Sequence, residues 1–224
     1  MKLLLLLSLF IDYNESDKVI HSYYSREGKM VNWDSDEWNS SKTIRLDGAV
    51  EDSENRVSIF SLWNEDSLFF YYKVEDTDLR SYQVQQDHHE LYLDDMVEIL
   101  VDTQNDKDSC WDENDIVYHI NLLGIKKDDR GSAECKTNPI WNGNASILVR
   151  LLGTLNDTLN RDEGYMIKIG FSWIELEQIP KESLTMGINF ANGDNDGKGR
   201  QLFDWVNAWP MRSPHAYGYV ILKK

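Results

Sequence analysis

The stretch Tyr92-Leu-Asp-Asp-Met-Val-Glu-Ile-Leu-Val-Asp102 decides how the rest of the chain is read. From Asp95 onward Val97, Ile99 and Val101 share one parity. On a strand they point together into a core, because successive side chains alternate between faces. Met96, Glu98, Leu100 and Asp102 share the other parity. A carboxylate set between a methionine and a leucine is costly to bury unless it is paired or faces a wet concavity. Two readings follow. Glu98 either belongs to a solvated outer face or anchors a polar ligand site on a sheet, with Tyr92 lending an aromatic wall.

Working outward, Val57 to Trp63 and Leu68 to Val74 flank the turn residues Asn64-Glu-Asp-Ser67 and read as a β-hairpin. Val117 to Leu123 places Tyr118, Ile120 and Leu122 on one face, His119 and Asn121 on the other. Ile147 to Leu155 and Tyr165 to Phe171 form a second hairpin pattern, and Met186, Ile188 and Phe190 and then Tyr217 to Leu222 mark further strands. Trp38 reads as an anchor under the sheet, and Trp173 to Glu177 as one helical turn. The segments 12–29, 103–115, 126–144 and 192–200 are polar and without a period, and read as an entry arm and loops. Regularly spaced strands without an amphipathic helix predict an all-β fold, an antiparallel β-sandwich of jelly-roll or immunoglobulin-like type. It occupies one domain, 19–224, behind a signal-like or arm segment, 1–18.

The 224 residues, 41% of them hydrophobic, suffice for one sizeable core. Lysine and arginine number 23 against 39 acidic residues, a net charge of −16 that disfavours nucleic acid and anionic membrane surfaces as partners. Met1-Lys2 followed by Leu3 to Ile11 resembles a signal peptide too short to span a bilayer. It predicts a secreted, periplasmic or cell-surface protein, the other reading being an N-terminal strand. Cys110 and Cys135 are compatible with one disulfide or with two free thiols.

No nucleophile elbow, phosphate-binding loop, paired zinc-ligand motif or dinucleotide fingerprint is present, so nothing in the sequence points to an enzyme. Asn192-Gly-Asp194-Asn-Asp196-Gly197 sets oxygen ligands at alternate positions before a glycine, the first half of a calcium loop without its closing glutamate. Asp102, opening the acidic run to Asp115, is a second candidate calcium ligand.

Five segments in order resemble the carbohydrate-binding modules of family 9 and domains built like them. They are Asp36-Glu-Trp-Asn39, Asp95 to Asp102, Tyr118-His-Ile-Asn-Leu-Leu-Gly124, Gly164 to Trp173 and Ser213 to Leu222. The match runs from about Val31 to the C-terminus. The resemblance implies a non-catalytic β-sandwich that binds oligo- or polysaccharide, accompanies glycoside hydrolases in polysaccharide catabolism and carries structural calcium. It also implies a sugar clasped between two rings with polar groups beside them. Glu98 corresponds to the family's strand glutamate, and Tyr92, six residues earlier, stands where tryptophan is usual. Trp209 is the nearest second ring, with Met211 in the aligned place. His119 takes the position of a basic residue, and Asn207 supplies a further hydrogen bond. The alternative is a haem-binding electron-transfer domain of similar architecture, ligated by Met96 or Met211 with His119 or His215.

Overall fold

In a computed structural model, which describes residues 18–28, 30–41, 43–47, 55–138, 140–196, 200–207 and 212–224, the chain is built from strands and short 3-10 turns. Among the described residues the strands are β1 (Val19–Tyr24), β2 (Ile44–Asp47), β3 (Arg56–Trp63), β4 (Ser67–Glu75), β5 (Met96–Asp102), β6 (Asp115–Asn121) and β7 (Lys126–Ser132). They continue with β8 (Lys136–Asn138), β9 (Ser146–Leu152), β10 (Gly164–Ser172), β11 (Thr185–Asp194), β12 (Gln201–Asp204) and β13 (Gly218–Lys223). The hydrogen-bonded order is β8-β7-β6-β5-β11-β13-β1-β3-β4-β10-β9, with β12 beside β11 and β2 beside β3.

This ladder curls into two facing layers. Val97, Ile99 and Val101 of β5, Tyr118 and Ile120 of β6, and Ile188 and Phe190 of β11 share one core with Phe70, Tyr72, Ile167 and Phe171 of β4 and β10. The rings of Phe70 and Phe190 stand 5.3 Å apart edge to face, as do those of Tyr118 and Phe171. The Tyr72 hydroxyl crosses the layers to donate to the Glu98 carbonyl at 2.8 Å. The expected parity of β5 and β6 therefore holds, and the sandwich is as predicted. Most pairings are antiparallel, but β1 runs parallel to both β13 and β3.

Three segments read as irregular are strands. β1 lies inside the expected entry arm; only Ile20 and Ser22 of it are fully buried, too weak a pattern to stand out. β7, Lys-Lys-Asp-Asp-Arg-Gly-Ser, carries no apolar side chain. It buries Asp128 and Asp129 against Lys126 and Lys127, so ion pairs replace the hydrophobic alternation that marks a strand. β11 continues to Asp194, so Asn192 and Asp194 are strand residues rather than members of the loop anticipated from Asn192.

Trp38 is buried in a 3-10 turn over Asp36–Ser40 and packs on Tyr71, its indole donating to the Asn32 carbonyl at 2.7 Å. Cys110 and Cys135 are bonded, with Cα atoms 5.4 Å apart, and tie the acidic loop to the β7–β8 connection. Among the described residues no helix is long and apolar enough to cross a membrane.

Candidate functional site

The outer face of β5, β6 and β7 carries the candidate site. Cross-strand registers align Glu98 with His119 and His119 with Lys127, while Val117 faces Asp129. Glu98 is only 4% exposed although it points away from the core. Its Oε1 lies 3.3 Å from His119 Nδ1 and 3.3 Å from Arg200 Nη2. Burial pushes the Glu98 carboxyl upward, but the charges of His119, Arg200 and Arg212 outweigh it, and the group sits below the ordinary carboxylate range. Glu98 is thus held ionised, an acceptor ready for hydroxyl donors.

Around this centre the polar groups are interlocked. Asp129 receives Lys127 Nζ at 2.7 Å and Arg212 Nη2 at 2.9 Å. The Arg212 guanidinium lies 4.6 Å above the ring of Trp111, which packs with Leu100, Val117 and Tyr217 into a small apolar cluster beneath it. Trp111 donates to the Tyr217 hydroxyl at 3.1 Å, and its neighbour Cys110 is held by the disulfide. At the other edge Tyr92 sits on a one-turn 3-10 helix, Leu91–Leu93, pinned by the fully buried Leu91. Its ring is 44% exposed, and the Arg200 guanidinium lies 5.3 Å from its centroid.

Of the anticipated sugar-site residues, Tyr92, Glu98 and His119 gather here, linked through Arg200. Asn207 is exposed, in the left-handed region at φ 55°, and borders a separate cavity of about 310 Å3 with Arg45, Asp204 and Trp205. Trp209 and Met211 lie outside the described residues. Sequence reasoning missed Arg200, Arg212 and Asp129; basic residues scattered through so acidic a chain were the available signal. An open cleft of about 790 Å3 beside Arg130, Trp141 and Glu177 is formed by other residues. Met96 is fully buried, a Cβ at Gly193 would come within 3.2 Å of its side chain, and His119 is engaged by Glu98. Neither is poised to ligate haem iron. His215 lies apart on the turn Pro214–Ala216, where its backbone N–H donates to Asp108.

The anticipated metal ligands divide between two ends of the sandwich. Asp194, at the end of β11, meets Asp76 after β4 and Asp95 before β5, with one carboxylate oxygen of each within 4.8 Å of the others. All three are buried. Asp95 accepts from the Arg80 and Asn195 backbone N–H groups at 2.6 and 2.7 Å, and Asp76 from that of Asp78 at 3.0 Å. Asp194 Oδ1 is buried without a hydrogen-bond partner. Burial first, then repulsion from neighbouring aspartates, Asp78 and Asp196 included, raises Asp76 to about 6, Asp194 to about 7 and Asp95 to about 8. Asp196 adds its charge to Asp76 and Asp194 from the adjoining segment. Asn192, fully buried, instead donates from Nδ2 to the Met96 carbonyl at 2.9 Å and to the Tyr165 hydroxyl at 2.7 Å.

Asp102 belongs to neither this cluster nor this end. It pairs with Gly187 whereas Met96 pairs with Gly193, which puts it roughly 20 Å along β5 at about 3.3 Å per residue. One ion cannot bridge Asp102 and Asp194, so Asp102 stands apart from the Asp194 group, as the second candidate that the sequence offers. Asp102 sits opposite Asp115 and accepts from the Asp106 and Lys107 backbone N–H groups at 3.3 and 3.2 Å. Nearby, Asp106, Asp108 and Asp112 form a second, partly exposed acidic group.

Residues 27–224 match the family model described as carbohydrate family 9 binding domain-like. A carbohydrate binding module family 9 from Caldicellulosiruptor kristjanssonii superposes with a TM-score of 0.70 in its complex with cellotriose and 0.71 in its complex with glucose. Identity is 18% and 19%, over 92% of this chain in each case and 94% and 96% of the other. Endo-1,4-beta-xylanase A of Thermotoga neapolitana is 21% identical over 198 residues, 86% of this chain. The chain spans only 16% of that xylanase's length.

Proposed function

Because the chain belongs to the carbohydrate family 9 binding domain-like family, we propose that it is a non-catalytic module that holds a saccharide against the outer face of β5 and β6. One observation carries the placement: Glu98 is 4% exposed yet kept ionised by His119 and Arg200, with the Tyr92 ring open beside it. Sugars offer apolar C–H faces that pack on aromatic rings and hydroxyls that need charged or amide partners. Tyr92 supplies one ring and Glu98 the acceptor, while His119 adds a polar edge. Trp209 and Asn207 are the second ring and the amide that the sequence offers.

The family's ligands in the solved relatives, glucose and cellotriose, are the first to try. Calorimetric titration should give a one-to-one complex with at least one of them, weakened by Glu98→Gln. A folded protein that binds no mono- or oligosaccharide at millimolar concentration ends this reading.

Two features accompany it. Asp76, Asp95 and Asp194 hold calcium, supported by three buried carboxylates and the orphaned Asp194 Oδ1, a hard-oxygen donor set suited to that ion. The ion supplies the positive charge that the cluster lacks and fixes the ends of β4, β5 and β11. The Cys110–Cys135 bond favours an oxidising compartment, in line with export to the periplasm, cell surface or medium, where the module would serve a polysaccharide-degrading enzyme.

A further inference from the structure

The charge around Glu98 runs against that of the chain. The whole protein carries −16, yet the side chains in contact with Glu98 and Asp129 are Lys127, Arg200, Arg212 and His119. Three full positive charges thus meet two negative ones. Arg200 gives Glu98 one hydrogen bond at 3.3 Å, and Arg212 gives Asp129 one at 2.9 Å, out of the five N–H donors each guanidinium carries. Their side chains remain 29% and 41% exposed. Each guanidinium is also laid over a ring, Arg200 over Tyr92 and Arg212 over Trp111, which fixes the fork while its other donors stay accessible. Both arginines act on the same carboxylate, since both draw the Glu98 proton affinity down.

We propose that this site selects sugars bearing a negatively charged substituent, a carboxylate or a sulfate, held by Arg200 and Arg212 while Glu98 accepts ring hydroxyls. The inference rests on the reading of this face as a saccharide site. Neutralising Glu98 and Asp129 takes two cations, and the third is surplus. A neutral sugar offers the remaining guanidinium donors only single, uncharged hydroxyl acceptors. An anionic one offers a charged acceptor with two or more oxygens, geometrically matched to a planar fork.

The test is parallel calorimetric titration of the full chain with glucose, glucuronic acid and glucose 6-sulfate. At least one acidic sugar should bind about tenfold more tightly than glucose at low salt, the scale of one added charge-assisted contact. The relative affinities of the two acidic sugars tell carboxylate from sulfate. The preference should shrink toward unity at 1 M salt, where the screening length is about 3 Å. Arg212→Gln should reduce it likewise, and Arg130→Gln, on the residue paired with Glu177, should leave it unchanged. Glucose binding as well as both acidic sugars overturns the selectivity and leaves the saccharide site standing. A preference that survives both high salt and Arg212→Gln also overturns it. Binding of none of the three sugars, or of any cello-oligosaccharide, removes the saccharide site and this inference together.

Discussion

Two groups of buried carboxylates in this protein are solved in opposite ways. Glu98 has its partners within its own chain, His119 across the ladder and the cations Arg200 and Arg212 from loops, and its proton affinity falls below the ordinary value. Asp76, Asp95 and Asp194 are surrounded mainly by one another and by Asp78 and Asp196, and the nearby Arg80 is engaged by Asp78 at 2.5 Å, so their proton affinities rise. Desolvation is common to both; the sign of the neighbouring charge separates them. A carboxylate balanced from within keeps its charge and can serve a neutral or cationic donor. A cluster left unbalanced must take up protons or a cation from outside.

The largest expected effect breaks or sustains that contrast directly. Without metal, the raised values mean that the cluster's contribution to stability is intact below the unfolded carboxyl value of 3.8 and is lost as pH rises through about 6 to 8. For Asp95 alone the loss is on the order of 6 kcal/mol, at about 1.4 kcal/mol per pH unit. Calcium bound to the three carboxylates would offset most of their charge and so reduce that decline. At pH 8 the melting temperature with calcium should therefore exceed that with chelator by about 10 °C. Asp95→Asn should flatten the metal-free slope and reduce the calcium effect. Calcium-loaded and chelated melts that superimpose across the whole pH range would mean that the cluster binds no ion.

Glu98 should show the opposite pH dependence. Its lowered value means that its contribution is present above the usual carboxyl value of 4.5 and lost as pH falls through the folded one. Glu98→Gln should flatten the acid limb of the stability profile and leave the alkaline limb, where the aspartates act, as in the parent protein. It should also weaken saccharide binding by about 1–3 kcal/mol, the worth of a hydrogen bond to a charged group. Acid-limb melts of variant and parent that run parallel would show that Glu98 is not the carboxylate held ionised there.

How far the sequence discloses this contrast depends on how each site is built. Glu98 is legible because it interrupts an apolar strand, and strand parity puts it on the face with His119 and opposite Val97. The aspartate cluster is not, because its members stand at 76, 95 and 194 and only the approach of β4, β5 and β11 joins them. Asn192-Gly-Asp194 attracts attention as a loop motif, but the chain spends it as strand, with Asn192 bonded inside the core. Hydrophobic period finds β3, β4, β5, β6, β9, β10, β11 and β13 and misses β7, whose buried residues are charged and paired. The positive rim escapes for the same reason: Arg200 and Arg212 sit in irregular segments, where period says nothing.

The smallest expected effect concerns the ring beside Glu98. Tyr92 is held by backbone rather than by its own packing: Leu91 anchors the turn, and the Asp94 N–H donates to the Leu91 carbonyl at 3.1 Å. With 44% of its surface open, the ring gives the fold little, and Tyr92→Ala should change stability by no more than about 0.5 kcal/mol. A sugar packed on that face should lose about 0.5–1.5 kcal/mol of binding in the variant, the scale of one aromatic contact. The Arg200 guanidinium lies over the ring, 5.3 Å from its centroid, and a sugar there shares the ring with it. Tyr92→Trp enlarges the area available to both and should restore or exceed parental affinity, whereas Tyr92→Leu, apolar but not flat, should not. Titrations and melts of the three variants side by side separate packing on the ring from support of the turn. If alanine lowers the melting temperature by many degrees and leaves sugar affinity alone, Tyr92 belongs to the scaffold and Glu98 binds without it.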